Sequence, residues 1–275
     1  RLCRDWSSDV CSSDLEQIAE TIKTQYPTAP IEVWYFALAD KANCLNMYWH
    51  ELKPDAEMHF FIDGYVKLNS DSFSNIAKVH SIQPHLAYTG IPANGKSSES
   101  LRLQMLKEGG FHGNLIMLPK HSLETLVKHN FRLPICLYRT DSTLGAYLCF
   151  NFSPETETWQ PKHIKVVADA GWTFQPLRWF KLKDLQVQFL RKRRQALGTI
   201  ENKAVKQIFA IESQPASKLP DLATDLCCNY LQKFPFTWLD YIKKPLLYLA
   251  IKDLEAKKNN NEHTLKLSRI FRKLT

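Results

Sequence analysis

The sequence predicts an α/β protein, a parallel or mixed sheet flanked by helices with a helical appendage at the C-terminus. Three observations carry this. From residue 16 to residue 92, segments with helical apolar spacing alternate with short apolar runs in the order α-β-α-β-α-β. The composition, 44% hydrophobic and 23% charged, is that of a chain able to bury a core. From about Ser213 the pattern becomes helical throughout and ends in a charged stretch.

Residues 1–15 stand apart. DWSSDVCSSDL, residues 5–15, reads as the in-frame translation of a sequencing-library adapter, and RLCR fits the same frame. It has neither the apolar run of a signal peptide nor the basic, acid-poor character of a transit peptide. Two cysteines without nearby partners do not make a zinc site. The segment is expected to be a disordered artefact, with the native chain starting at or before Glu16 and lacking its true N-terminus. The remaining 260 residues carry a net charge of +9 rather than +8, because the excluded segment holds two arginines against three aspartates. That balance favours phosphorylated or polyanionic partners, or an anionic membrane surface. Five cysteines remain, an odd number without framework spacing, which reads as reduced thiols. No stretch has the length of a membrane span.

The elements follow in order. EQIAETIKTQY (16–26) is a helix ending near Pro27, and IEVWYFAL (31–38) a buried strand. DKANCLNMYWHEL (40–52) is a helix, and MHFFIDGYV (58–66) a strand running into an acidic turn. DSFSNIAKVHSI (71–82) is a helix, PHLAYTGIP (84–92) a strand, and GIPANGKSSES (90–100) a polar loop. Residues 109–130 give a glycine turn, a short strand and a helix marked by Pro119 and Ser122. LPICLYRTDSTLGAYLCFNF (133–152) gives a strand, an acidic turn, then a helix or second strand. Residues 159–177 read as irregular strands, and 182–211 as a long basic helix or helix pair. In the tail, the aromatic residues Phe234, Phe236, Trp238 and Tyr241 read as core, with membrane docking beside Lys243, Lys244, Lys257 and Lys258 as the alternative.

Four stretches can carry chemistry. An apolar strand delivers Asp63 to the rim of the sheet, where ligands bind in α/β folds; the bland reading is a turn aspartate. Lys41, Asn43 and Asn46 lie near a helix start able to meet phosphates, or form a solvated N-terminus capped by Asp40. Asp141 is placed to act as a general base or to cap a helix. In QFLRKRRQALG, Arg191 and Arg194 share a face suited to pyrophosphate, while Lys192 and Arg193 turn away. A solvated basic face and nucleic-acid contact are the rivals, but no nucleic-acid-binding motif accompanies the charge.

The order of KANCLN (41–46), FIDGYV (61–66), GGFHGNLIMLPKHSLETL (109–126), LPICLYRTDSTLGAYL (133–148) and RKRRQALG (191–198) resembles the family 2, GT-A-type nucleotide-sugar glycosyltransferases. The resemblance covers roughly residues 31–200. It implies a GT-A-like, Rossmann-type mixed sheet in a partial domain over 16–212, lacking its first βα element or elements, with a helical extension over 213–275. It implies transfer, with inversion, from a nucleoside-diphospho sugar to a glycan or lipid-linked acceptor, in bacterial polysaccharide or surface-glycan synthesis. Asp141 takes the place of the catalytic base. Lys41, Asn46, Asp63, Arg191 and Arg194 take donor-binding places, and Gly110, His112 and Gly113 lie on the acceptor side. Asp63 matches the first aspartate of a metal motif for Mn²⁺ or Mg²⁺, but Tyr65 stands where the second aspartate belongs. Thr140 replaces a glutamate before the base, and Gln195 replaces a tryptophan after Arg194. The implied location is cytoplasmic, with peripheral contact at the inner face of the membrane left open and no nucleic-acid partner. The alternative is a degenerate, non-catalytic GT-A domain acting in binding or scaffolding.

Overall fold

A computed structural model describes residues 12–28, 30, 32–94, 98–174, 182–238, 240 and 245–273. Helix α1 spans Ser12–Gln25, so its first turn lies within the segment expected to be disordered. Strand β1 (Trp34–Phe36) is much shorter than the strand expected over 31–38 and stays out of the main sheet. It pairs antiparallel with β7 (Phe271–Lys273) at the far end of the chain, where Phe36 stacks on Phe271 at 5.9 Å.

The main sheet is mixed, with strand order β2-β5-β4-β6-β3. Its strands are β2 (Met58–Ile62), β3 (Val66–Leu68), β4 (Ala87–Pro92), β5 (Leu115–Pro119) and β6 (Ile164–Phe174). Only β4 and β6 run parallel. The expected parallel-or-mixed sheet is therefore the mixed kind. Of the irregular strands expected over 159–177, Ile164–Phe174 is one long strand, Pro161–His163 before it is a 3-10 turn, and 175–177 lie outside the described residues. β5 explains the layering. LIMLP is buried at every position because successive side chains point to opposite faces and both faces are covered. Leu115 and Met117 join Ile76 of α3 (Ser72–Ile82) and Trp172. Ile116 and Leu118 join the larger cluster, which includes Trp49, Phe131, Leu144, Tyr147 and Phe209.

That second face is covered by α2 (Lys41–Met47), which runs into a π-helical turn Tyr48–Leu52, and by α5 (Lys120–Lys128), α6 (Thr140–Cys149) and α7 (Leu182–Lys206). Helix α4 (Ser98–Glu108) begins inside the stretch expected as a loop over 90–100, whose first three residues end β4. Residues 182–211 form one 25-residue helix ending in a π-turn, not a pair. Beyond it, α8 (Ala223–Lys233), α9 (Pro245–Lys258) and α10 (Asn261–Ser268) supply the expected helical appendage. It packs on α7 through Leu197, Ile200, Cys227, Leu247, Ala250 and Leu254. The tail aromatics depart from expectation. Phe234 and Trp238 are exposed, Trp238 at 68%, and Phe236 packs beside the appendage core. Tyr241, Lys243 and Lys244 lie outside the described residues. Among the described residues, no helix is long and apolar enough to cross a membrane.

The segment 133–138, expected as a strand, is coil with one isolated bridge from Ile135 to Leu222. The residues after Arg139 resolve the other ambiguity, since Thr140–Cys149 is helical.

The β4–β6 pairing is interrupted between Thr89 and Ile91, where residues 167–170 of β6 bulge out. Gly90 fits against that bulge because it has no side chain. A Cβ there would stand 2.4 Å from the Ala170 carbonyl oxygen and 2.8 Å from Leu115 Cδ2. Neither backbone nor buried leucine can yield cheaply. Gly90→Ala is expected to lower the unfolding free energy by about 2 kcal/mol or more, read from urea or thermal denaturation.

Candidate active site

The site lies where β2 ends and β5 begins. Ile62 and Leu115 are the last register pair, so Asp63 leaves the sheet beside the loop 109–114 that enters it. Helix α2 brings Lys41 to this corner. Its start is fixed by Asp40, whose carboxylate accepts the Asn43 N–H at 2.8 Å. Lys41 Nζ reaches Asp63 Oδ1 at 2.5 Å. The Tyr65 hydroxyl lies 3.1 Å from Asp63 Oδ2 and 2.9 Å from Asn114 Oδ1. It has one proton, so it donates to one of these at a time. Burial of the hydroxyl, then the neighbouring Asp63 charge, raises the Tyr65 pKa far above the usual phenol, so it remains a neutral donor.

Asp141 sits in the first turn of α6, where a carboxylate suits the helix dipole. Its Oδ1 accepts the Ser142 N–H at 2.9 Å and its Oδ2 the Gly113 N–H at 3.2 Å. Gly145, one turn later on the same face, makes room for the Phe111 side chain; a Cβ there would meet that side chain at 3.0–3.3 Å. The loop 109–114 is thereby docked on α6 at two points. Gly113 joins the two halves of the site, since a Cβ built on it would stand 3.0 Å from Lys41 Nζ and 3.5 Å from Asp141 Oδ2.

His112 packs against Trp172, with ring centroids 4.8 Å apart and the planes tilted by 39°. Burial lowers its pKa first; Asp141 and Asp63 pull it up, while Lys41 and Arg191 push it down. It is neutral near pH 7. Its Nδ1 accepts the Asn114 N–H at 3.3 Å, which leaves the proton on Nε2. The same balance puts the exposed Arg191 within electrostatic range of the cluster.

Lys41, Asp63, His112, Gly113, Asp141 and Arg191 therefore converge, from five stretches far apart in the chain. The remaining expected residues have the following places. Asn46 is buried, and its side chain donates to the Leu133 carbonyl and accepts the Leu133 N–H, both at 2.8 Å. That is a framework role, in place of the expected donor contact. Gly110 packs on Met105 of α4. Arg194 is half-buried one turn beyond Arg191, and Arg193 pairs with Asp253 of α9.

Sequence reasoning missed Asn114, Trp172 and Glu201. Glu201 is fully buried on α7 and accepts the Tyr138 N–H at 3.1 Å and the Arg139 N–H at 2.9 Å. It thus holds the backbone that leads into Asp141. Its signal was a lone carboxylate in the apolar stripe Leu197, Ile200, Ala204, Val205. Gly198, one turn earlier, allows the approach; a Cβ there would stand 2.5 Å from Arg139 Nε.

A hard divalent cation wants six or more oxygen ligands, usually with more than one carboxylate among them. Both Asp63 oxygens already have partners, and its neighbour two residues on is a neutral phenol. Among the described residues, no three His, Cys, Asp or Glu side chains stand together to hold a metal. The donor set does not fit the Mn²⁺ or Mg²⁺ that the motif order implied. No protein-family model matches this chain, and no curated protein matches it at a significant level. What the structure establishes is a mixed α/β protein with a cluster of opposed charges at the rim of its sheet.

Burial pushes the Glu201 carboxyl up from 4.5 to about 7, against the lowering effect of its two backbone hydrogen bonds. The native state then holds this proton more tightly than the unfolded chain does. Its contribution to stability falls as pH rises from about 4.5 to about 7. Glu201→Gln removes that slope. The stability of wild type relative to the variant is expected to decline across this window, measured by thermal unfolding at each pH.

Proposed function

We propose that this protein is an inverting glycosyltransferase of the GT-A type, using a nucleoside-diphospho sugar and a hydroxyl on a glycan or lipid-linked acceptor. One observation carries the reading. Lys41 and Asp141 flank Gly113 within 3.5 Å of the same point, with Asp63, His112 and Arg191 around them. The arrangement supplies a base beside a cationic corner, which is what displacement of a diphosphate needs.

In this reading the acceptor hydroxyl lies against Asp141. Its oxygen attacks the anomeric carbon while Asp141 takes the proton. The bond from that carbon to the diphosphate oxygen breaks, and the electron pair leaves with the diphosphate. Lys41 and Arg191 offset the charge that develops there. The two backbone N–H groups on Asp141 fix its orientation, and a carboxylate so held keeps lone pairs for the acceptor. His112, with its proton on Nε2, is placed to hydrogen-bond acceptor or sugar. A nucleotide-sugar donor implies a cytoplasmic site of action, and exposed Trp238 is available for peripheral contact with a membrane surface. The second reading, a non-catalytic GT-A-like domain that binds donor, is favoured by Tyr65 in place of a second acidic ligand.

The test is a screen of nucleoside-diphospho sugars for transfer or hydrolysis. Asp141→Asn keeps the shape and loses the base. It is expected to cut kcat by about 10² or more, with donor affinity little changed. Donor binding with no turnover in wild type would select the second reading.

A further inference from the structure

The mismatch between Asp63 and a divalent cation has a positive side. The place beside Asp63 that would hold a metal already holds a cation, the Lys41 ammonium at 2.5 Å. Three features make this a built arrangement. Asp63 is held from its other side, with Oδ2 facing the Tyr65 hydroxyl, and that hydroxyl also reaches Asn114 at the start of β5. Lys41 leaves the first residue of a helix whose cap, Asp40, is itself hydrogen-bonded to the Cys136 N–H at 3.0 Å. Gly113 keeps clear the space through which the lysine passes, since a Cβ would stand 3.0 Å from Nζ. The Lys41 side chain is 44% exposed while Asp63 is 18% exposed, so the carboxylate is the inner partner and the ammonium faces outward.

We propose that Lys41 is the resident cation of this site: its ammonium, held by Asp63, binds the diphosphate of the donor without a divalent metal. This inference rests on the transfer reading above and deepens it. An ammonium has three N–H donors. One serves Asp63, and two remain to meet phosphate oxygens as a point charge does in other phosphate sites. The leaving diphosphate gains its electron pair from the broken bond to the anomeric carbon, and Lys41 and Arg191 offset that charge where a metal ion would. Asp63 acts through Lys41 and is a positioning residue. Tyr65, a neutral donor, supports Asp63 where a second carboxylate would have recruited a metal.

The experiment measures binding of UDP and GDP as probes, by calorimetry, in EDTA and in Mn²⁺. The expected result is the same Kd in both, within about twofold. Lys41→Gln is expected to weaken binding about tenfold or more in EDTA, with no recovery on adding Mn²⁺, while Lys41→Arg recovers part of the loss. Residue 41 is exposed, and circular dichroism verifies that each variant folds. In the double variant Lys41→Gln, Tyr65→Asp, Mn²⁺ titration followed by electron paramagnetic resonance should reveal saturable metal binding that wild type lacks. Binding of either probe that requires Mn²⁺, saturable Mn²⁺ binding by wild type, an unchanged Kd in Lys41→Gln, or no binding of either probe overturns the proposal. Metal-independent, Lys41-dependent binding without transfer from any donor rejects the transfer reading and leaves the Lys41 assignment standing.

Discussion

The site depends on how one buried stretch of coil satisfies its backbone. Leu133 and Leu137 belong to the core, so the segment between them is drawn inside the protein. Its N–H and C=O groups cannot remain without partners there. Side chains from two helices and a helix cap supply many of them, while Ile135 pairs through the backbone with Asp221 and Ala223. Asn46 takes both polar groups of Leu133, Asp40 takes the Cys136 N–H, and Glu201 takes those of Tyr138 and Arg139. Cys136 has a φ of 66°, a left-handed conformation unusual for a residue with a side chain. Anchors on both sides hold it there. The segment ends at α6, so the same bonds set where Asp141 stands. Burying Asp40 and Glu201 is costly, and both carboxyls are raised for that reason. The fold accepts the cost because three side chains, Asn46 and Glu201 buried and Asp40 partly so, give the coil one conformation.

Asp40 also joins the two halves of the site. One carboxylate caps the helix that presents Lys41 and grips the coil that leads to Asp141. The third point, Asp63, comes from the sheet. Its height relative to Asn114 follows from the β2–β5 register, Ile62 opposite Leu115. A slip of one residue would turn Asp63 to the other face and part Tyr65 from Asn114. Helix cap, coil anchors and sheet register are three separate constraints, and they converge on Gly113, the one position among them without a side chain.

Much of this was legible in the sequence and some was not, for definable reasons. The α/β alternation held because β2, β4 and β5 are dense apolar runs bounded by polar turns. Asp63 and Asp141 were findable because each follows an apolar run at a turn. The segment 133–138 misled because L-x-I-x-L has the period of a strand. The N–H groups of Leu133, Cys136 and Tyr138 are taken by side chains from elsewhere, which periodicity does not record. Asn46 looked like a ligand because a polar residue on a helix near a phosphate motif invites that reading; its real partner is 87 residues away. The β1–β7 pair joins chain ends, beyond any local pattern. Phe234 and Trp238 read as core because aromatic residues usually are, and here they are exposed.

Asp63 and Asp141 differ in what satisfies them, and that difference fits the two roles proposed for them. Asp141 is met by two backbone N–H groups, fixed dipoles that bring no mobile charge and no side chain into its path. Asp63 is met by an ammonium and a phenol, both side chains. A base must accept a proton from a substrate while holding still, and peptide N–H groups at a helix start achieve that without competing for the proton. A counterion must hold a cation in place and let it reach outward, and a carboxylate inside with a lysine outside achieves that. Exchanging the two environments would put a lysine against the base, where it would compete for the acceptor's place, and leave the diphosphate facing an uncompensated carboxylate. In the proposed transfer, the placement of one cation, on Asp63 and not on Asp141, is therefore what would separate the site into a base side and a phosphate side.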